Sequence, residues 1–234
     1  MIHVHQLWKR YGTRPVLQGV TLEIAEGERV ALVGPNGSGK TTLIRCLLGL
    51  LSGEGTVRVG GHDPLHDHAA AAAHIAYVPQ RAPTLPVPVS EIVGFWSRQR
   101  LEAPERLVEA AAALGLDVGS VWDRRFPELS GGMQQKLLAA TALASRCPLL
   151  LLDEPTANLD PAARSAFFDA LSKRNPRPTV LLSSHRLEEL RHLVDRVVVL
   201  TDGRIAYDDD LSRFLANPTL AAAAGVELGV SLTH

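Results

Sequence analysis

The chain has 234 residues, 46% of them hydrophobic, so it can bury one large core or a core with an inserted subdomain. Its 24 Lys and Arg residues balance 25 Asp and Glu residues, and the net charge of -1 excludes the global basic field that many nucleic-acid-binding proteins carry. We therefore expect no nucleic-acid partner.

Cysteine usage and hydropathy indicate the compartment. Cys46 and Cys147 both lie in apolar stretches, which is typical of reduced buried thiols and predicts no disulfide framework. No apolar run approaches the roughly 20 residues that a membrane-spanning helix needs. The N-terminus lacks a signal-peptide pattern, because His3 and His5 interrupt its apolar residues. These features predict a cytoplasmic chain and leave docking onto a membrane protein open.

The first elements in chain order are predicted strands. Apolar and polar residues alternate over 2–7 and over 17–24, as they do in half-buried antiparallel strands. Tyr11 lies in the turn between them, where its ring can stack on a nucleotide base or pack against the protein. A further strand, 29–33, follows.

The segment 34–42 matches the pattern G-x-x-x-x-G-K-[ST], between the strand 29–33 and a helix-like run, 43–51. Its glycines let successive backbone N–H groups face one concavity, and the helix N-terminus adds positive potential. Lys40 supplies a cation for the β- and γ-phosphates, and the Thr41 hydroxyl is a candidate Mg²⁺ ligand. The residues that we predict to bind the nucleotide are Gly34, Pro35, Asn36, Gly37, Ser38, Gly39, Lys40, Thr41 and Thr42.

Histidines cluster after the next predicted strand, 55–59. They are His62, His66, His68 and His74. Their spacing fits no compact set of metal ligands, and Pro64 would break a helix that presented them. A solvated loop is therefore favoured over a metal site.

Prolines mark a change in organisation. The apolar run 74–78 predicts a strand that ends at Pro79-Gln80, and the prolines at 83, 86 and 88 predict a linker because each removes a backbone donor. Two helical patterns follow, 90–101 and 104–114.

Another predicted helix opens at 129–133 and runs to about Arg146. Ser130 is its predicted N-cap, and Gly131 and Gly132 leave backbone N–H groups open to an anion. The predicted division of the chain is an α/β core, 1–82 with 148–234, and an inserted helical subdomain, 83–147.

Carboxylates follow a run of four leucines, 149–152. Such a run predicts a strand buried on both faces of a parallel sheet, and ligands bind at the carboxyl ends of these strands. Asp153 is therefore a candidate for holding Mg²⁺, and Glu154 is a candidate general base that accepts a proton from the attacking water.

A histidine marks a second strand end. The apolar run 179–184 ends at His185, for which contact with a terminal phosphate is favoured over a structural function. Upstream, Asp160 and Pro161 are the predicted N-cap and first residue of a helix. The remaining predicted elements are a strand pair, 196–200 and 204–207, and a short helical tail.

Together these motifs resemble the nucleotide-binding subunit of an ATP-binding-cassette (ABC) transporter over nearly the whole chain. The resemblance implies an α/β fold of the P-loop NTPase type: a mostly parallel sheet flanked by helices, an N-terminal antiparallel β subdomain and an inserted α-helical subdomain. Residues 129–133 match the family signature LSGGQ except for Met133, which replaces glutamine. We expect anion binding to survive, because Ser130 and the two glycines are kept.

The resemblance also implies an ATPase with assigned residues. Tyr11 matches the aromatic residue that stacks on adenine, and Gln80 matches the glutamine loop, with catalytic and Mg²⁺-binding functions. The implied catalytic residues are Glu154, His185, Gln80 and Lys40, the implied Mg²⁺ ligands are Thr41, Gln80 and Asp153, and the implied signature contacts to ATP are Ser130, Gly131 and Gly132.

The resemblance implies partners as well. Two copies, as a homodimer or a pseudo-dimer, face each other head to tail, and each signature helix covers the ATP of the other copy. A separate transmembrane permease subunit is implied to complete the transporter, with this chain as a peripheral subunit at the cytoplasmic face of the cell membrane. Phe95 and Trp96 are candidates for the groove that receives the permease, with ordinary core packing as the alternative. The segment 135–137 favours an exporter slightly over an importer.

Other functions remain as alternatives. A soluble ABC-type ATPase acting on nucleic acid or on the ribosome is less favoured, because the chain has neither a second cassette nor a long coiled-coil insertion. A small-molecule kinase would share the phosphate loop but would not explain Gln80, the segment 129–132 and His185 together.

Overall fold

The structure, a computed structural model, describes residues 1–227. The elements of the first half are β1 (Ile2–Tyr11), β2 (Arg14–Ile24), β3 (Arg29–Val33), α1 (Lys40–Leu47), β4 (Glu54–Val59), α2 (His68–Ala73), β5 (Ile75–Val78), α3 (Val89–Arg100) and α4 (Pro104–Ala113). Those of the second half are α5 (Gly131–Ala144), β6 (Leu149–Asp153), α6 (Pro161–Ser172), β7 (Thr179–Ser183), α7 (Leu187–Leu193), β8 (Arg196–Thr201), β9 (Arg204–Asp210), α8 (Leu211–Leu215) and α9 (Pro218–Ala223). Short 3₁₀ helices, Gly119–Val121 and Phe126–Glu128, lie between α4 and α5.

The larger sheet carries the strands whose ends form the predicted site. Its strand order is β5-β6-β7-β3-β8-β9, and each neighbouring pair is parallel except β8 with β9. A second sheet, of order β2-β1-β4, is antiparallel. The predicted fold class is therefore confirmed: a mostly parallel sheet with helices, joined to an antiparallel sheet.

The larger sheet packs a separate hydrophobic core on each of its faces. Side chains alternate across a strand, so Val30 and Leu32 of β3 face one core while Ala31 and Val33 face the other. The first core includes residues of α1 and the antiparallel sheet, and the second includes residues of α3 to α9. All residues of β3, β6 and β7 are buried, which explains their continuous apolar runs.

The histidine-rich segment is only partly the loop that its prolines and polar residues predict. His62 and His66 lie in a loop, but α2 begins at His68. Pro64 precedes the helix and does not interrupt it, and the alanines 69–73 favour a helix. Among residues 1–227, no group of three or more His, Cys, Asp or Glu side chains is arranged to hold a metal ion.

Two further elements differ from the prediction. The helix after the phosphate loop begins at Lys40, within the loop itself, and ends at Leu47. The short helix α7 follows His185 closely and was not predicted. The helical tail is confirmed over α8 and α9, and its last residues, 228–234, lie outside the described part of the chain.

The two candidate aromatic residues, Phe95 and Trp96, are neighbours on α3 but differ in exposure. Trp96 is 7% exposed and its indole N–H donates to the carbonyl of Thr141 at 3.2 Å, so it packs in the core. Phe95 on the same helix is 59% exposed and stays available for contact.

Within residues 1–227, none of the helices has the length and apolar character needed to cross a bilayer.

Candidate nucleotide-binding site

The phosphate loop joins the buried strand β3 to α1. Gly34, at φ 151°, has no room for a side chain, because an added Cβ would lie 2.1 Å from the backbone oxygen of Leu200. Gly39, at φ 112°, precedes the helix and would place a Cβ 2.9 Å from the oxygen of Val16. Glycine is therefore required where the loop passes close to neighbouring backbone.

The ammonium group of Lys40 lies over the loop. It donates to the carbonyl oxygen of Gly34 at 2.6 Å and to that of Pro35 at 3.2 Å. Burial lowers the pKa of Lys40, and the nearby carboxylates of Glu154 and Asp153 oppose this effect. A partly buried cation beside the backbone N–H groups of a helix start is an environment that favours a bound polyanion.

Asp153 ends β6 directly opposite the first turn of α1. It is 1% exposed, and the Thr41 hydroxyl donates to its Oδ2 at 3.1 Å. Burial raises the pKa of Asp153, while the hydrogen bond from Thr41 acts in the opposite direction. A carboxylate and a hydroxyl at this distance offer the hard oxygen ligands that Mg²⁺ takes.

Glu154 follows Asp153 in an uncommon backbone conformation. Its φ is 48°, and its N–H donates to the carbonyl of Ser183 at 2.9 Å. Nδ1 of His185 lies 3.0 Å from Oε1 of Glu154, where a ring N–H donates to the carboxylate. Burial raises the pKa of Glu154, and the contact with His185 partly offsets this increase.

These residues line a continuous cleft. A cavity of about 340 Å³ extends from Tyr11 past Thr41 to Asp153, and a neighbouring cavity of about 380 Å³ reaches His185. The residues lining both cavities are Asn36, Lys40, Gln80 and Glu154. Tyr11 is 48% exposed at one end of the cleft, so its ring is accessible to a base.

The signature residues lie elsewhere. Ser130 caps α5, and its hydroxyl accepts from the N–H of Met133 at 3.3 Å, as predicted from its position. Ser130, Gly131 and Gly132 are absent from the residues that line the cleft of their own chain. The structure thus brings together the phosphate loop, Gln80, both carboxylates and His185, but not the signature segment.

Several residues near the cleft were missed in the sequence. Ser183 ends β7 beside Asp153, and the strand-end argument used for β6 would have identified it. Arg14 lines the cavity beside Tyr11, and Glu227 lines the cavity beside His185. Glu227 donates its N–H to the carbonyl of His185 at 2.7 Å, a contact between distant segments with no local sequence signal.

The family is shown by comparison with known proteins. A family model described as "ABC transporter" matches residues 17–157. A putative ABC transporter ATP-binding protein of Halobacterium salinarum is 39% identical over 217 residues, covering 90% of this chain and 93% of that protein. A solved dimeric ATP-binding cassette in a post-hydrolysis state, bound to ADP and Pi, has a TM-score of 0.80 and 27% identity, covering 90% of this chain and 99% of that one.

Further relatives bear on the direction of transport. The Nod factor export ATP-binding protein I of Paraburkholderia xenovorans is 35% identical, covering 87% of this chain and 68% of that protein. The aliphatic sulfonates import ATP-binding protein of Cupriavidus necator is 37% identical, covering 96% of this chain and 73% of that protein. Both directions are represented, so the expected preference for an exporter gains no support, and neither does the soluble alternative. The chain belongs to the ABC transporter family, as an ATP-binding subunit with ATPase activity.

Proposed function

We propose that this chain hydrolyses Mg²⁺-ATP in the cleft described above and thereby energises transport through a separate transmembrane permease. The observation that carries the proposal is the convergence of a phosphate loop, the carboxylates of Asp153 and Glu154, and His185 at the carboxyl ends of β3, β6 and β7. In open α/β sheets this edge is where ligands bind.

The phosphates of ATP bind along the loop 34–42. Lys40 is presently held by two loop carbonyls, and this position keeps its charge where the β- and γ-phosphates lie against the loop. Backbone N–H groups at the start of α1 supply further donors. Tyr11, exposed at the end of the cleft, stacks on the adenine ring.

Mg²⁺ fits the oxygens at the junction of β6 and α1. Thr41 and Asp153 face each other at hydrogen-bond distance, and Gln80 lines the same cavity. Few protein ligands are needed, since Mg²⁺ keeps several waters and binds phosphate oxygens. When bound, Mg²⁺ neutralises charge on the phosphates.

Glu154 is the general base and His185 holds the γ-phosphate. The oxygen of a water molecule bonds to the γ-phosphorus, the bond from that phosphorus to the β,γ-bridging oxygen breaks, and Glu154 accepts the water's proton. Burial raises the pKa of Glu154, which makes it a stronger base than an exposed glutamate. Gln80 lines both cavities and contributes to orienting the water.

The dimer supplies the missing signature contacts. Ser130, Gly131 and Gly132 stand at the N-terminus of α5 and do not line their own cleft, so we place them on the ATP of a second copy. The similarity to a dimeric cassette supports this arrangement. ATP joins the two copies and hydrolysis releases them, so binding energy becomes motion.

The helical segment transmits this motion to the permease. We propose that residues 83–147 form the subdomain inserted into the core of 1–82 and 148–234. Phe95, exposed on α3, is a contact for the permease at the cytoplasmic face of the cell membrane.

Substitution of Lys40 tests the proposal. Lys40→Ala removes the partly buried cation of the phosphate loop, and we expect it to abolish Mg²⁺-dependent phosphate release from ATP. The matched control is Lys173→Ala, which removes an exposed lysine at the end of α6. Unchanged turnover in Lys40→Ala would contradict the phosphate-loop assignment.

Co-purification of the chain from membranes with a membrane-spanning protein tests the permease partner, and recovery of the chain without such a protein contradicts it.

A further inference from the structure

Glu189 is a buried carboxylate outside the nucleotide cleft. It lies on α7, is 2% exposed and is absent from the residues that line either cavity. Burying a carboxylate is unfavourable unless the charge is paired and its oxygens accept hydrogen bonds. The partners of this side chain therefore indicate its function.

Two buried hydroxyl groups donate to the Glu189 carboxylate. The Thr156 hydroxyl donates to Oε1, and the Ser184 hydroxyl donates to Oε2 at 2.7 Å. Thr156 follows Glu154 by two residues, and Ser184 directly precedes His185. The Glu189 carboxylate thus links the loop that carries Glu154 to the loop that carries His185.

Two guanidinium groups balance the charge of Glu189 from further away. Nε of Arg164, on α6, lies 3.7 Å from Oε1, and Nε of Arg186 lies 3.8 Å from the same oxygen. Both distances are those of ion pairs, whereas the close hydrogen bonds go to the hydroxyl groups. The charge is therefore compensated without displacing the hydroxyl contacts.

The loop after β6 needs such an anchor. Glu154 has a φ of 48°, a conformation that a residue with a side chain keeps only when its surroundings hold it. Its N–H is bonded to Ser183, and Thr156 fixes the chain two residues downstream. On the other loop, the Ser184 hydroxyl also accepts from the N–H of Arg186 at 3.1 Å, which closes the turn around His185.

A purely local function in α7 does not explain these contacts. An acidic residue in a first helical turn stabilises the helix through the N–H groups of that turn. Both oxygens of Glu189 instead accept from side chains of other loops. The adjacent Glu188 occupies the same turn and is exposed to solvent, so it provides a matched control.

We propose that Glu189 is a positioning residue for ATP hydrolysis, which keeps the Glu154 carboxylate and the His185 ring in contact by holding both loops. The 3.0 Å separation of Nδ1 and Oε1 depends on the relative position of these loops. This inference rests on the functions proposed for Glu154 and His185.

The test compares Glu189→Gln with Glu188→Gln in the full chain. Glutamine keeps the shape of the side chain but replaces one acceptor oxygen with a donor and removes the charge. We expect Glu189→Gln to lower kcat about tenfold to a hundredfold, because small misplacements of reacting groups have effects of this size. The Kd for a fluorescent ATP analogue stays unchanged, and the NMR signal of the His185 ring nitrogen shifts. Glu188→Gln changes none of these quantities.

Two results would overturn the inference. The first is a wild-type kcat and His185 signal in folded Glu189→Gln, and the second is a fall in kcat that only follows the unfolded fraction. If Glu189→Gln does not fold, Thr156→Val removes the hydrogen bond to Oε1, and Ser184→Ala removes the hydrogen bond to Oε2 together with the one from the N–H of Arg186. Lower kcat with unchanged ATP affinity in these variants supports the inference, and wild-type kcat in both contradicts it.

A parallel measurement on Glu154→Gln separates this inference from the proposed function. If Glu154→Gln keeps its turnover, the proposed function of Glu154 fails. If Glu154→Gln is inactive while Glu189→Gln is normal, only the positioning function fails.

Discussion

Glu154→Gln separates ATP binding from hydrolysis. The side chain of Glu154 is 12% exposed, and glutamine keeps its shape and one oxygen that accepts from His185. A general base contributes roughly 10²- to 10⁴-fold to a rate, which corresponds to about 3 to 5 kcal/mol in the barrier. We expect kcat to fall by this factor while ATP affinity is kept.

The folded state should tolerate this change. Burial raises the pKa of Glu154, so the fold disfavours the ionised carboxylate. Removing that charge is therefore not expected to lower the Tm at neutral pH.

The assay combines phosphate release with size-exclusion chromatography in Mg²⁺-ATP. We expect the variant to elute as a dimer with ATP and as a monomer without it, since ATP that is not hydrolysed keeps the two copies joined. Glu109→Gln, on the exposed side of α4, is the control. A variant that stays monomeric with ATP refutes the dimer mechanism, and turnover close to wild type refutes the assignment of the base.

Three further predictions concern the same cleft. Gly34→Ala would place a Cβ 2.1 Å from the backbone oxygen of Leu200, so we expect this variant to lose binding of a fluorescent ATP analogue. The control Gly94→Ala, in α3, should bind normally, and equal affinities of the two variants would contradict the steric argument. Asp153→Asn should raise the Mg²⁺ concentration needed for half-maximal turnover about tenfold or more, and EDTA should stop hydrolysis by the unchanged protein. If the Mg²⁺ dependence of Asp153→Asn is unchanged, Asp153 is not a Mg²⁺ ligand. The pKa of Glu154 is raised, and only its deprotonated form accepts a proton, so the acid limb of the pH profile of kcat/KM should lie above pH 4.5, the ordinary pKa of glutamate. An acid limb at or below pH 4.5 would contradict the assignment of Glu154 as the general base.

The fold was predictable where a pattern is local. Alternation of apolar and polar residues indicates a strand with one buried face, and a uniform apolar run indicates a strand with two buried faces. The first pattern occurs at 2–7 and the second at 29–33 and 149–152, and all three segments are strands in the structure. The helix α7 was not predicted because it has only seven residues, a span too short for a helical period to show. The helix α2 was not predicted because Pro64 indicates a break, whereas in the structure it lies ahead of the helix that the alanines form.

The site was predictable to the extent that strand ends meet at one edge. That rule identified Asp153, Glu154 and His185 without knowledge of the strand order. It did not identify Glu189, because its hydroxyl partners come from two loops and the rotation of α7 sets which glutamate points inward. Side-chain contacts between distant segments leave no periodic signal, so only coordinates reveal them.

The burial of β3, β6 and β7 on both faces limits how the molecule can respond to ATP. Close-packed cores resist continuous deformation, and here such a core presses on each side of the same strands. We therefore expect these strands to keep their relative positions when the cleft fills. Nucleotide-dependent movement must therefore arise in the connecting loops, or in displacement of whole packed units against one another. The larger sheet is then the rigid part of the chain, and the movements that accompany transport take place relative to it.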